Sequence, residues 1–156
     1  MTSFPPTMQY RIQTANWRDL GALRTLEQEC FPIDAWPLFD LIGVLSFPSV
    51  VRLKAVLGDK LIGFIAGDRR SSQNLAWIAT IGVRPAYQRQ GIASALLLAC
   101  ETQLQVARVR LSVRVGNLPA INLYQGHGYR RVGYWPEYYQ DKSDAIVFEK
   151  SMQTAL

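Results

Sequence analysis

The residues best placed to do chemistry begin with a six-residue turn, Gln88-Arg89-Gln90-Gly91-Ile92-Ala93, followed by Ser94. The turn stands between an apolar run ending at Val83 and a helical pattern opening at Gly91. A helix N-terminus carries unpaired N–H groups and the positive end of the helix dipole, so it is a ready anion site. Gly91 lets the backbone approach a phosphate closely. Arg89 adds a cation at the mouth, and small Ala93 and Ser94 leave room beside the first turn. A diphosphate fits this chemistry. The hexamer alone is also compatible with an ordinary turn, and it is neither a Walker loop nor G-x-G-x-x-G.

A second group lies in Asn117–Tyr129. Asn117 is a good N-cap. Asn117, Ala120, Ile121 and Tyr124 recur at i, i+3, i+4 and i+7 and share one helix face. That face can look toward the anion turn, where Tyr124 would carry a phenol proton near a reacting atom. Simple core packing of Tyr124 is the alternative. A third group is Glu137 followed by Tyr138-Tyr139 and then Asp144-Ala145. The tyrosine pair also reads as ordinary strand sequence.

These groups need a scaffold to position them. Met8–Gln13 reads as a strand. Asn16 caps a helix, with Asp19 as capping-box partner and an apolar stripe at Leu20, Leu23, Leu26 and Cys30. Phe31-Pro32 ends it. Asp34 starts a second helix with Pro37 in its first turn and Leu38, Leu41, Ile42 and Leu45 facing inward. Val50–Leu57 and Lys60–Gly67 are strands joined at Gly58-Asp59, a hairpin signal. Asn74–Val83 is a nearly continuous apolar strand. Gly91–Val106 is helical, with Ile92, Ala95, Leu96, Ala99 and Gln103 at helical spacing. Val109–Val115 is a strand, Asn117–Gly126 a helix, and Tyr129–Tyr139 and Asp144–Met152 a final strand pair. The order βααβββαβαββ predicts an α/β (α+β) fold with a mixed, largely antiparallel sheet flanked by helices.

A length of 156 residues fits one domain. We expect residues 1–7 to form a disordered tail and 8–156 a single domain. The N-terminus lacks a basic and apolar leader pattern, and the apolar runs are too short to cross a bilayer, so a cytoplasmic location is expected. Two cysteines and one histidine argue against a disulfide framework or a metal cluster. Cys30 and Cys100 read as small buried hydrophobes. The net charge of +5 invites an anionic partner.

Taken together, Ile81-Gly82-Val83-x-Pro85, the Q-x-x-G-x-A turn and N-x-x-A-x-x-L-Y-x-x-x-G-Y resemble the GNAT superfamily of acyl-CoA-dependent N-acetyltransferases. The resemblance runs from about Met8 to Met152. It implies a sheet splayed between strands 4 and 5 and acetyl-CoA as acetyl donor, with no metal. Ile81, Gly82 and Val83 would bind the pantetheine as a pseudo-strand. Gln88, Arg89, Gln90, Gly91, Ile92, Ala93 and Ser94 would hold the pyrophosphate, with Asn117 and Tyr124 completing the cofactor site. The amine attacks the thioester directly in this family. A backbone N–H near Val83 would stabilise the oxyanion, and Tyr124 would protonate the departing thiolate.

The final third resembles the branch that acetylates protein N-termini, including ribosomal-protein alanine. The residues carrying this are Tyr138-Tyr139 with Asp144-Ala145, and Arg114-x-x-Asn117. The resemblance implies that Tyr138 and Tyr139 narrow the cleft around the first acceptor residues, and that Trp36 and Phe39 lie in a segment lining it. One position departs from the branch: Ser112 stands where an acidic base is usual. Glu137 is the substitute candidate, with His127 ranked below it. An α-amine of pKa about 8 costs only ~1.4 kcal/mol to neutralise at pH 7, whereas a lysine near 10.4 costs ~4–5 kcal/mol. A site without a strong base therefore suits an α-amine.

Other readings remain open. The acceptor could be a lysine side chain or a small amine, or the domain could bind acetyl-CoA as a sensor without turnover. Arg108, Arg110, Arg114, Arg130 and Arg131 could touch nucleic acid, but no stacking or groove-reading motif accompanies them. A monomer and a homodimer are both compatible with the chain.

Overall fold

The computed structural model describes residues 9–152. The expected N-terminal tail, and Met8 of the expected first strand, lie outside the described residues. The elements follow the predicted order: β1 (Arg11–Thr14), α1 (Leu20–Cys30), α2 (Leu38–Ser46), β2 (Val50–Leu57), β3 (Lys60–Arg70), β4 (Leu75–Val83), α3 (Ile92–Leu104), β5 (Arg108–Arg114), α4 (Leu118–Gly126), β6 (Arg130–Trp135) and β7 (Ala145–Ser151). They form one seven-stranded sheet in the order β1-β2-β3-β4-β5-β7-β6. All neighbours are antiparallel except β4 and β5.

That parallel pair positions the site. β4 and β5 are in register only from Leu75↔Arg108 to Trp77↔Arg110. Beyond Trp77 the strands part, although β4 continues to Val83 and β5 to Arg114. The parting coincides with a bulge in β4: Ala66 faces Thr80 and Gly67 faces Ile78, so Ala79 is the extra residue. A bulge bends its strand and sharpens the local twist, which carries the end of β4 away from β5. The splay expected from the resemblance is present.

Each sheet face buries its own core. On one, α3 lays Ile92, Leu96, Leu97, Cys100 and Leu104 over β2–β4. On the other, Leu23 and Leu26 of α1 and Leu41, Val44 and Leu45 of α2 cover Leu61, Phe64 and Ala66. Gly82 permits the approach of α1, because a Cβ there would sit 3.3 Å from Cys30 Sγ and from Leu26 and Phe31 side chains.

Several expectations are corrected. α2 begins at Leu38 with Pro37 as its N-cap residue. Its buried face is Leu41, Val44 and Leu45, leaving Leu38 and Ile42 exposed, because the helix rests on a narrow seam against α1 and β2. On α3, Gln103 faces solvent and Leu97, Cys100 and Leu104 complete the inward stripe. β6 stops at Trp135, since Pro136 has no N–H to continue the ladder. Tyr138 and Tyr139 therefore sit on a loop, in which Glu137 and Lys142 take left-handed backbone angles of +52° and +66°. The Asn16–Asp19 capping box forms as read, but around a single 3-10 turn that leads into α1.

Candidate active site

The anion turn is built from its ends inward. β4 terminates where the Val83 carbonyl accepts two hydrogen bonds, from Gln88 Nε2 at 2.9 Å and from the Cys30 thiol at 3.3 Å. The chain then turns through Pro85–Tyr87 and reaches Gly91 at φ +84°, the residue that caps α3. A positive φ of this kind favours glycine, so the turn chemistry was legible in the sequence. Arg89 also takes a positive φ, +63°. The freed N–H groups of the first α3 turn open into a cavity of about 500 Å³. Gln88, Arg89, Gly91, Ile92, Ala93 and Ser94 line it on one side, and Ile81, Gly82 and Val83 on another. Gln90 is exposed and does not line it.

The strand edge in this cavity carries backbone groups that β3 does not pair, although the Val83 carbonyl is already taken by Gln88 and Cys30. Arg84 N–H donates to the Ile62 carbonyl at 2.8 Å. Antiparallel pairing alternates in direction, so the Val83 and Ile81 backbone groups face the opposite edge, from which β5 has turned away. An extended ligand can bond there as an added strand.

α4 forms the facing wall. Asn117 caps it, its side-chain oxygen accepting from Ala120 N–H at 3.3 Å. Asn117, Ala120, Leu123 and Tyr124 line the cavity. Tyr124 is 6 % exposed and packs edge-on against Tyr129 at 5.9 Å and near Phe148 at 6.5 Å. Burial, reinforced by Tyr139, pushes its phenol well above the ordinary tyrosine range. The hydroxyl therefore keeps its proton through the neutral range. His127, just past α4, bonds Ser94 Oγ through Nε2 at 3.0 Å.

A second cavity of about 270 Å³ opens on the other side of the splay. Phe31, Ile81, Asn117, Ala120 and Tyr124 line both cavities, so the two meet beside Tyr124. The second is completed by Asp34, Trp36, Thr80, Ser112, Arg114, Tyr138 and Tyr139. Arg114 is its electrostatic anchor. Nε bonds Asp34 Oδ2 at 2.8 Å, Nη2 pairs with the same oxygen, and Nη1 spans both Asp141 oxygens at 2.9 Å. Its guanidinium also lies over the Tyr139 ring, 4.3 Å from the centroid. The pairing holds Asp141 below the ordinary carboxylate range. The tyrosine loop is secured further by Asp144, which accepts from Glu137 N–H at 2.8 Å and from the Tyr134 hydroxyl.

Besides Gln90, two further sequence candidates lie elsewhere. Phe39 is 83 % exposed on α2 and lines neither cavity. Glu137 is exposed at the outer end of the loop and also lines neither. Conversely, sequence reasoning missed Asp34, Phe31 and Thr80. Asp34 was legible only as a helix start, and its partner Arg114 is 80 residues away. Of the arginines weighed for nucleic acid, Arg108 and Arg110 pair with Glu149 at 3.8 and 2.6 Å. Among the described residues no cluster of three or more His, Cys, Asp or Glu could hold a metal, and no helix is long and apolar enough to cross a membrane.

An open strand edge beside a helix N-terminus, joined at a buried tyrosine to a second cavity, defines an acyltransferase that passes a group from a long diphosphate-bearing donor to a separate acceptor. Residues 13–129 match the acetyltransferase (GNAT) family model, and the chain belongs to that family of N-acetyltransferases. It is 33 % identical to the N-alpha-acetyltransferase of Saccharolobus solfataricus over 157 residues, covering 92 % of this chain and 93 % of that one. It is 34 % identical to N-alpha-acetyltransferase RimI of Mycobacterium tuberculosis over 133 residues, covering 78 % and 84 %. Among solved structures, the ribosomal-protein-S18-alanine N-acetyltransferase from Escherichia coli superposes with a TM-score of 0.86 at 26 % identity, covering 95 % and 97 %.

Proposed function

We propose that this enzyme transfers the acetyl group of acetyl-CoA to the N-terminal α-amine of a protein or peptide. The observation that carries the reading is the meeting of the two cavities beside Tyr124. A donor entering along β4 and an acceptor entering past Tyr138 and Tyr139 come together there. The fit of the donor rests on the open Ile81–Val83 edge and on the unfilled N–H groups of the first α3 turn. The N-alpha-acetyltransferase relatives support an α-amine acceptor.

In this mechanism the Ile81 and Val83 backbone aligns the donor chain and the α3 N-terminus holds its diphosphate. The acceptor nitrogen forms the new C–N bond as the C–S bond breaks. Val83 N–H stabilises the oxygen charge that develops between those events. Tyr124 gives its proton to the departing thiolate. Arg114 holds Asp34 and the Tyr139 ring in place, keeping the acceptor mouth narrow. The free thiols of Cys30 and Cys100 support a reducing compartment such as the cytoplasm.

The test is a panel of acceptors with acetyl-CoA, followed by thiol release and by mass of the product. Peptides with free N-termini should be acetylated at the α-amine. Turnover confined to N-terminally blocked lysine peptides or polyamines would overturn the reading.

A further inference from the structure

We propose that Glu27 is the proton acceptor of the transfer, reached from the acceptor cavity through the Thr80 hydroxyl. The inference rests on the acetyl-transfer reading and supplies the base that Ser112 cannot. Thr80, next to the β4 bulge, lines the acceptor cavity and donates its hydroxyl to Glu27 Oε1 at 2.8 Å. Because that proton points inward, the Thr80 oxygen keeps its lone pairs for a donor in the cavity. Glu27 is 1 % exposed, and its Oε2 is buried without a hydrogen-bond partner. Most buried side-chain polar atoms in folded proteins have a partner; here Oε1 accepts from a cavity-lining hydroxyl and Oε2 is left without one.

The competing carboxylates are worse placed. Asp34 lines the cavity, but its Oδ2 is taken up by two hydrogen bonds from Arg114, through Nε and Nη2. Glu137 lines neither cavity. Around the neighbouring Cys30 thiol, Glu27, Glu29 and Arg84 are the charged groups, and Arg84 pairs with Glu29 at 3.4 Å. Among the described residues no cation pairs with Glu27. Burial raises its carboxyl above the ordinary glutamate range, opposed by the Thr80 hydroxyl and the Trp36 backbone, which brings a carboxylate closer to the basicity a general base needs.

The protons balance. As the C–N bond forms, the amine proton passes to Thr80 Oγ1 and the former Thr80 proton passes to Glu27 Oε1. The threonine hydroxyl is restored and Glu27 is neutral. The Tyr124 proton goes to the departing thiolate. After product leaves, the Glu27 proton returns through Thr80 and cavity solvent to the Tyr124 oxygen.

The experiment compares Glu27→Gln, Thr80→Val and Thr80→Ser with wild type on whichever amine the wild type accepts. Glu27→Gln and Thr80→Val should each lower kcat by about 100-fold or more, flatten the acidic limb of the pH profile, and leave KM for acetyl-CoA and the melting temperature close to wild type. Thr80→Ser should retain most of the activity. Wild-type turnover in Glu27→Gln would overturn the relay, and so would a loss of rate with the acidic limb intact. A readout independent of activity is the 13C resonance of the Glu27 carboxyl. It should titrate above the ordinary glutamate range and move in Thr80→Val; an ordinary titration unaffected by Thr80→Val overturns the relay. An inactive wild type with a displaced Glu27 titration would instead count against the acetyl-transfer reading.

Discussion

Gln88 donates its side-chain amide to the Val83 carbonyl at 2.9 Å, so the turn that leads into α3 is tied to the end of β4. The sequence motif assigns Gln88 to cofactor binding; Gln88 lines the cavity, and its side chain also bonds the protein's own backbone. Replacing it with alanine should loosen the turn without touching the acceptor cavity. A neutral hydrogen bond is worth about 1 kcal/mol, so Gln88→Ala should raise KM for acetyl-CoA about fivefold with kcat little changed. Steady-state kinetics at saturating acceptor check this.

Tyr124→Phe should keep the fold, because the ring contacts with Tyr129 and Phe148 do not need the hydroxyl. Loss of a positioned proton donor should lower kcat by about 100-fold, with acetyl-CoA binding unchanged by calorimetry. An unchanged kcat would remove Tyr124 from the chemistry.

Arg114→Lys should impair the acceptor side alone. Lysine keeps the charge but cannot bond Asp34 and Asp141 together or lie flat over Tyr139. The pairs are solvent-accessible, so the loss should be modest, seen as a several-fold rise in acceptor KM. Unchanged acceptor KM alongside a weakened donor KM would contradict the division into two cavities.

Both thiols should resist modification at neutral pH. Burial pushes Cys30 up to about 11 and Cys100 up to about 12, with nearby glutamates adding to each. The thiolate is the reactive form, so native protein should label far more slowly with a thiol-exchange reagent than urea-unfolded protein. Both thiols are acids whose pKa is raised by folding. Their stability contribution is intact below about 9 and is lost as pH rises toward 11–12, where unfolded thiols ionise and folded ones do not. Cys100→Ala should therefore weaken the fall in urea midpoint between pH 8 and 10.5.

The order of elements was legible because its signals are local. Alternation, helical spacing, the Gly58-Asp59 hairpin, the Asn16 and Asn117 caps and the Gly91 turn each depend on a few adjacent residues. Where reading failed, the deciding contact was distant. The inward faces of α2 and α3 depend on which neighbour covers them. β6 was read four residues too long because Tyr138-Tyr139 has strand composition, while Pro136 and the left-handed Glu137 turn the chain out of the sheet.

The sequence by itself determined the donor side, since a helix N-terminus after a strand is one continuous stretch and its chemistry is mostly backbone. Only the tertiary structure decided how the second cavity is assembled and that Phe31, Asp34 and Thr80 belong to it. Trp36, Asp34, Thr80, Ser112, Arg114 and Tyr139 come from four separate regions of the chain and meet because the β4 bulge at Ala79 parts β4 from β5. The same geometry left Glu137 in solvent and placed Glu27, 53 residues from Thr80 in sequence, behind the cavity wall. Side-chain chemistry assembled across such separations has no local periodicity, so it becomes readable only when the sheet has formed.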